Sequence, residues 1–212
     1  MRRLLCGMVL LALAGCAPAN LTLLKYRETA YHDSGRYMAD FNRAATPASH
    51  YLAAAVKRAR PGEKLAIVFD IDETCVSNWP HLQKTDYSTA TYLFEKWANH
   101  SACPALPATL ALYREARQAG VTVFFITGRQ EIIRAATERN LARAGYTPYE
   151  GLYMKPMAYR DVSIIPFKTA ARRAIEARGY TILLNIGDQW SDLEGGHAQR
   201  IFKLPNPFYY LP

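Results

Sequence analysis

The sequence predicts an α/β protein: a three-layer α/β/α sandwich around a mainly parallel, doubly wound sheet, with N-terminal helices and a small cap insertion. Three observations carry that reading. The runs Leu65–Phe69, Val121–Ile126 and Thr181–Ile186 are short, almost wholly apolar and rich in β-branched or aromatic residues, as strands buried on both faces are. Between them lie helical stretches, one with Leu106, Leu110 and Tyr113 on a single face. Each helical stretch ends in a glycine just before the chain turns back, at Gly120-Val121, Gly145-Tyr146 and Gly179-Tyr180, which suits left-handed C-terminal caps. Alternation of this kind with right-handed crossovers builds a parallel sheet between two helical layers.

Taken from the N-terminus, Arg2 and Arg3 precede an apolar run from Leu4 to Ala14 that is too short to span a bilayer as a helix. Residues 1–15 read as a signal peptide cleaved before Cys16, and residues 16–212 as a single domain of ample size for one core. Leu21 to Arg60 reads as two or three helices, with Gly35 and Pro47 as breaks. The first strand then runs abruptly into Asp70-Ile71-Asp72-Glu73-Thr74. Val76 to Pro104 is the natural cap insertion, carrying Asn78, Trp79, Tyr87, Tyr92, Phe94 and Trp97. Such aromatics either stack on a flat leaving group or pack into the insertion's own small core. The second strand runs into Thr127-Gly128-Arg129, a helical stretch covers Lys168 to Arg178, and the last strand runs into Gly187-Asp188-Gln189-Trp190-Ser191-Asp192.

The formal net charge of +8 favours anionic substrates or surfaces, or equally describes a generally basic exterior. No aromatic-interleaved basic stripe is present, so a nucleic-acid polymer is not an expected partner. Of the four cysteines, Cys6 leaves with the signal peptide, and Cys75 and Cys103 remain beside Cys16. An oxidising compartment permits a Cys75–Cys103 disulfide, while simple packing beside the acidic loop is the other reading. The five histidines show no ligand spacing; His81 and His100 lie in the insertion.

Asp70 and Asp72, one residue apart in an extended segment, point the same way. On spacing alone they serve equally well as a phosphoryl-transfer pair or as a turn and helix-capping pair. The other polar groups have ordinary readings too: Thr127 as a helix N-cap, Lys168 as a solvated lysine, Asp192 as an acid favoured at a helix start. Their placement argues otherwise, since each sits at a strand end or helix start, where a doubly wound sheet gathers its ligand-binding groups.

In order, FDIDET (69–74), FFITGR (124–129), Lys168 and NIGDQWSDL (185–193) resemble the haloacid dehalogenase superfamily of phosphohydrolases. The nearest resemblance is to its acid phosphatase branch with four catalytic aspartates, which includes bacterial lipoprotein acid phosphatases and plant vegetative storage proteins. It spans roughly Asn20 to the C-terminus. The resemblance implies an acid phosphatase that is Mg²⁺-dependent and hydrolyses small phosphomonoesters, nucleotides among the candidates, through an aspartyl-phosphate. Asp70 is then the nucleophile and Asp72 the general acid, with a proton held at mildly acidic pH by the crowding of carboxylates. Asp70, Asp188 and the Asp72 backbone carbonyl bind the cation, and Asp192 ligates it or orients Asp188. Thr127, the Gly128 amide at the start of the following helix, and Lys168 bind phosphate. Aspartate at position 72 separates the chain from relatives that cleave carbon–halogen bonds and from transport ATPases. The intact Asp70 separates it from storage relatives that lost their nucleophile; a catalytically weak storage-type binder and a phosphotransferase are the alternatives. Leu13-Ala14-Gly15-Cys16 resembles a bacterial lipobox, implying acylation of Cys16 and a membrane lipid anchor. With Ala17 next, the expected location is the bacterial outer membrane, facing the periplasm.

Overall fold

A computed structural model describes residues 19–100 and 103–212. The signal peptide, the Cys16 lipidation site and Ala17 lie outside the described residues. Helices α1 (Leu21–Asp33) and α2 (Arg36–Arg58) lead into β1 (Lys64–Phe69). The insertion holds α3 (Trp79–Lys84) and α4 (Thr91–His100), followed by α5 (Pro107–Gln118) and β2 (Thr122–Gln130). Then come α6 (Arg134–Ala144), β3 (Gly151–Lys155), α7 (Ile165–Ala177), β4 (Tyr180–Gly187), the short α8 (Trp190–Leu193) and β5 (Arg200–Lys203).

All strand pairs are parallel, in the order β3-β2-β1-β4-β5. The chain winds outward from β1 through β2 to β3, then crosses back to β4 on the other side of β1. The carboxyl ends of β1 and β4 therefore flank a topological switch point, the crevice where open α/β sheets bind ligands. Alternate residues of β1 face opposite layers. Ile67 and Phe69 join a core with Phe41 and Leu52 of α2 and Leu112 of α5, whereas Ala66 and Val68 join Ala171 and Ile175 of α7. The glycines closing α5, α6 and α7 are left-handed as expected, with φ of +72°, +89° and +84° at Gly120, Gly145 and Gly179.

Two expectations about helices need correction. Gly35 does separate α1 from α2, but Pro47 does not break the chain: α2 runs through it. Pro47 is exposed, so the carbonyl it leaves unpaired faces water. On the opposite side Tyr37, Phe41, Ala45, Ala48, Leu52 and Ala55 form a continuous buried stripe. Burying that stripe at ~25 cal/mol per Å² outweighs a proline penalty of about 3 kcal/mol. The helix carrying Lys168 also begins earlier than expected, because Pro166 fits its first turn.

Arg172 of α7 is fully buried and forms no ion pair among the described residues; it ties down the 192–196 loop through carbonyls instead. Its Nε donates to Gly196 O at 2.7 Å, Nη1 to Asp192 O at 2.8 Å, and Nη2 to Glu194 O. Arg172→Leu orphans these acceptors, so we expect a loss of about 3 kcal/mol or more in urea unfolding. An unchanged midpoint would contradict the structural role given to this side chain.

Candidate active site

The loop after β1 is held by its own backbone. Asp70 N donates to Ile186 O at 3.0 Å, extending the pairing with β4, and the amides of Cys75 and Val76 both donate to Ile71 O. Glu73 adopts a left-handed φ of 52°, a conformation that costs a non-glycine residue about 1 kcal/mol. Its buried carboxylate offsets this by accepting from Asn78 N at 2.5 Å and from Tyr209 Oη at 2.5 Å. Burial first, then the charge of Asp72, push the Glu73 carboxyl up to about 7 despite those hydrogen bonds.

Across the switch point, Gly187 ends β4 where no side chain fits. A Cβ there would lie 2.5 Å from Asp192 Cβ. This approach lets the single turn of α8 fold back so that Asp192 faces the β1 loop, with its Oδ2 accepting from Gln189 N at 2.8 Å. Asp70, Asp188 and Asp192 each present an oxygen within 4.8 Å of the others, and all three are buried. Lys168, buried in the first turn of α7, places Nζ 2.5 Å from Asp70 Oδ1 and 2.5 Å from Asp192 Oδ1. Burial and the charge of Asp192 raise Asp70 well above the usual carboxylate range, against the pull of Lys168. Burial, Asp192 and Glu73 raise Asp188 likewise.

These residues face one cavity of about 270 Å³. Asp70, Asp72, Gly128, Lys168, Asp188 and Asp192 line it, whereas Thr127 lies buried behind the wall, accepting from Arg129 N at 3.1 Å. Gly128 does not open a helix. It belongs to an extension of β2, and a 3-10 turn at Glu131–Ile133 precedes α6. Its amide thus has no helix terminus behind it.

Asp72 is the second correction at the site. Burial raises its pKa, but the charge and hydrogen bonds of Arg129 and a hydrogen bond from Asn78 outweigh that, leaving it below the usual value. Arg129 holds both oxygens, with Nη2 at 2.7 Å from Oδ1 and Nε at 3.0 Å from Oδ2, and Asn78 Nδ2 lies 2.7 Å from Oδ1. Carboxylate crowding raises Asp70 and Asp188 instead. No disulfide joins Cys75 to Cys103; Cys103 Sγ lies 3.6 Å from Asn78 Oδ1. The insertion aromatics divide: Trp79 packs outward, stacking on His32 of α1 with ring centroids 3.8 Å apart, whereas Trp97 Nε1 donates to Asn78 within the insertion. Phe94 lines the cavity, as does His81, while His100 is exposed.

A doubly wound parallel sheet with an acidic pair leaving β1 and further acids leaving the adjacent β4 is the frame of the haloacid dehalogenase superfamily. The chain belongs, more narrowly, to its subfamily IIIB (acid phosphatase), whose family model matches residues 19–212. It is 42% identical over 154 residues to the stem 28 kDa glycoprotein of Glycine max, covering 70% of this chain and 61% of that protein. It is 38% identical over 148 residues to acid phosphatase 1 of Solanum lycopersicum, covering 68% and 58%. The chain thus spans about three-fifths of the length of these curated relatives. Its fold is similar to that of the class C acid phosphatase from Bacillus anthracis, with a TM-score of 0.72, 23% identity, and coverage of 90% of this chain and 85% of that one. The expected bacterial outer-membrane, lipid-anchored location is overturned by these curated relatives, which come from plants.

Several site residues escaped the sequence reading. Arg129 stood inside the FFITGR motif, where a charge directly after a buried strand was the available signal. Tyr209 and Asn206 gave none, because their roles depend on a later segment returning to Glu73 and Asp188, and Asn78, six residues after Asp72, stood only as part of the insertion.

Proposed function

We propose that this domain is a Mg²⁺-dependent acid phosphatase that hydrolyses small phosphomonoesters through an aspartyl-phosphate on Asp70. The observation that carries the proposal is the meeting of Asp70, Asp188 and Asp192 around the Lys168 ammonium in a cavity that Asp72 also lines. Buried carboxylates this close need cationic charge among them, and one lysine does not neutralise three acids. Hard oxygen donors from Asp70 and Asp188, with the Asp72 carbonyl and Asp192 nearby, suit Mg²⁺. When bound, Mg²⁺ supplies positive charge against the phosphoryl oxygens.

In the first half-reaction an Asp70 oxygen bonds to phosphorus as the bond to the leaving oxygen breaks. Asp72 gives its proton to that oxygen, and in the second half-reaction takes one from the water that attacks the aspartyl-phosphate. Releasing phosphate restores the Asp70 carboxylate. The Arg129 pair fixes Asp72 in orientation but favours its ionised form, so the substrate's own charge must loosen the pair before Asp72 carries a proton. Lys168 balances charge at Asp70 and the phosphoryl group, and the Gly128 amide binds a phosphoryl oxygen, while the expected phosphate contact of Thr127 gives way to a supporting role, its buried hydroxyl accepting from Arg129 N behind the wall. The insertion at 76–104 acts as a cap, and Phe94 gives the cavity a flat apolar wall for a nucleoside or aryl leaving group. The intact Asp70 favours turnover over a storage-type binder, and membership of an acid phosphatase family favours hydrolysis over phosphotransfer.

The test is release of p-nitrophenol from p-nitrophenyl phosphate by the purified chain. Chelation with EDTA is expected to abolish release, and added Mg²⁺ to restore it. Release that is indifferent to chelation, or absent at saturating Mg²⁺ across a monoester panel, would sink the reading.

A further inference from the structure

The last residue of β5 and the segment after it return to the acidic cluster and contact it repeatedly. Lys203 Nζ donates to Asp188 O at 2.5 Å, and Leu204 N to Gly187 O at 2.8 Å, fixing the backbone at the end of β4. Asn206 Nδ2 donates to Asp188 Oδ2 at 2.7 Å. The same oxygen accepts from Gln189 Nε2 at 2.8 Å, while Oδ1 accepts from Thr74 Oγ1 at 3.0 Å. Asp188 is thus held by neutral donors from three separate segments.

An amide side chain helps a carboxylate only if its NH₂ end faces it, and here the backbone decides which end does. Phe208 N donates to Asn206 Oδ1 at 2.9 Å, so Nδ2 is left facing Asp188. Leu211 N donates to Gln189 Oε1 at 3.3 Å and orients the second amide in the same sense. Two backbone N–H groups of residues 206–211 therefore set the polarity of both amides on Asp188.

We infer that Asn206, oriented by the turn to Phe208, is a positioning residue that holds Asp188 for cation binding and thereby sets Mg²⁺ affinity. The inference rests on the Mg²⁺ site proposed above. Groups that orient a ligating carboxylate typically change metal affinity 10- to 100-fold when removed.

The test is Mg²⁺ binding in the absence of substrate, by calorimetric titration and by Mg²⁺-dependent melting. Asn206→Ser keeps an oxygen for the Phe208 amide but is too short to reach Asp188; Asn206→Ala removes both contacts. Both are expected to bind Mg²⁺ about 10- to 100-fold more weakly than the unaltered chain, with kcat recovering at saturating Mg²⁺. A merely structural residue would lower the melting temperature and leave Mg²⁺ affinity alone; affinity within twofold of the unaltered value overturns the inference. A second measurement needs no variant: the Asn206 side-chain amide resonance should shift during Mg²⁺ titration, and a static resonance overturns the inference. Failure of the unaltered chain to bind Mg²⁺ overturns both this inference and the proposed function. Mg²⁺ binding with the expected Asn206 effect but no hydrolysis overturns the proposed function alone.

Discussion

An Asp70→Asn chain is expected to fold, to keep its melting temperature at neutral pH, and to release phosphate at least roughly 10⁴-fold more slowly than the unaltered chain, the scale on which loss of a covalent nucleophile registers. The substitution preserves shape and one carbonyl oxygen for the Lys168 ammonium, which retains its contact with Asp192 at 2.5 Å. It removes the negative oxygen that must bond to phosphorus. Stability should not fall, and the sign follows from the direction of the shift. Burial and the neighbouring acids raise the folded-state pKa of Asp70 above its unfolded value. Ionised Asp70 therefore opposes folding as pH rises past the ordinary carboxylate range, and a neutral amide carries no such cost. Turnover together with mass spectra of acid-quenched enzyme checks both halves. A phosphorylated adduct should appear on the unaltered chain and vanish in the variant. Substantial turnover by a correctly folded Asp70→Asn chain would remove the assigned nucleophile.

The fold was legible where pattern and burial coincide. Ile67-Val68-Phe69, Phe124-Phe125-Ile126 and Leu183-Leu184 read as strands because both faces of a central parallel strand are buried, so no polar alternation interrupts them. The edge strands β3 and β5 were not legible. Gly151–Lys155 and Arg200–Lys203 are short and largely unburied, and they become strands only by pairing with β2 and β4. Pro47 was misread because local propensity says nothing of the apolar stripe opposite it. The same division holds at the site. Asp70, Asp188 and Lys168 announce themselves by sitting at strand ends and a helix start, and the chain topology alone brings them together. The state of Asp72 was not readable, since carboxylate spacing suggests repulsion while the decisive partner, Arg129, lies 57 residues away. The tail contributions of Asn206 and Tyr209 are of that second kind, set by tertiary approach rather than by any local motif.

Lys168→Met should be the most destabilising substitution at the site, and the effect should depend on metal. The ammonium lies 2.5 Å from an oxygen of Asp70 and 2.5 Å from one of Asp192, with all three side chains buried. Removing one partner of a buried ion pair costs about 3–5 kcal/mol, because the remaining charge is left uncompensated. Here two carboxylates are left facing each other. Methionine matches the lysine stem in length, so packing is conserved and the loss is electrostatic. Two consequences separate this from a packing defect. Mg²⁺ should raise the melting temperature of the variant more than that of the unaltered chain, because the cation supplies charge where the ammonium stood. Acidification should also narrow the gap. Lysine lowers the pKa of Asp70 against burial and Asp192, so without it the folded carboxyl protonates more readily and the penalty fades as pH falls towards the ordinary carboxylate range. Turnover at saturating Mg²⁺ should still fall by roughly 10²–10³, the size of one lost charge-stabilising contact in a water-excluded site. Denaturation with and without Mg²⁺ at neutral and acidic pH checks the set. A deficit indifferent to both metal and pH would mean that Lys168 supports packing alone, and that the acids around it are compensated by some other group.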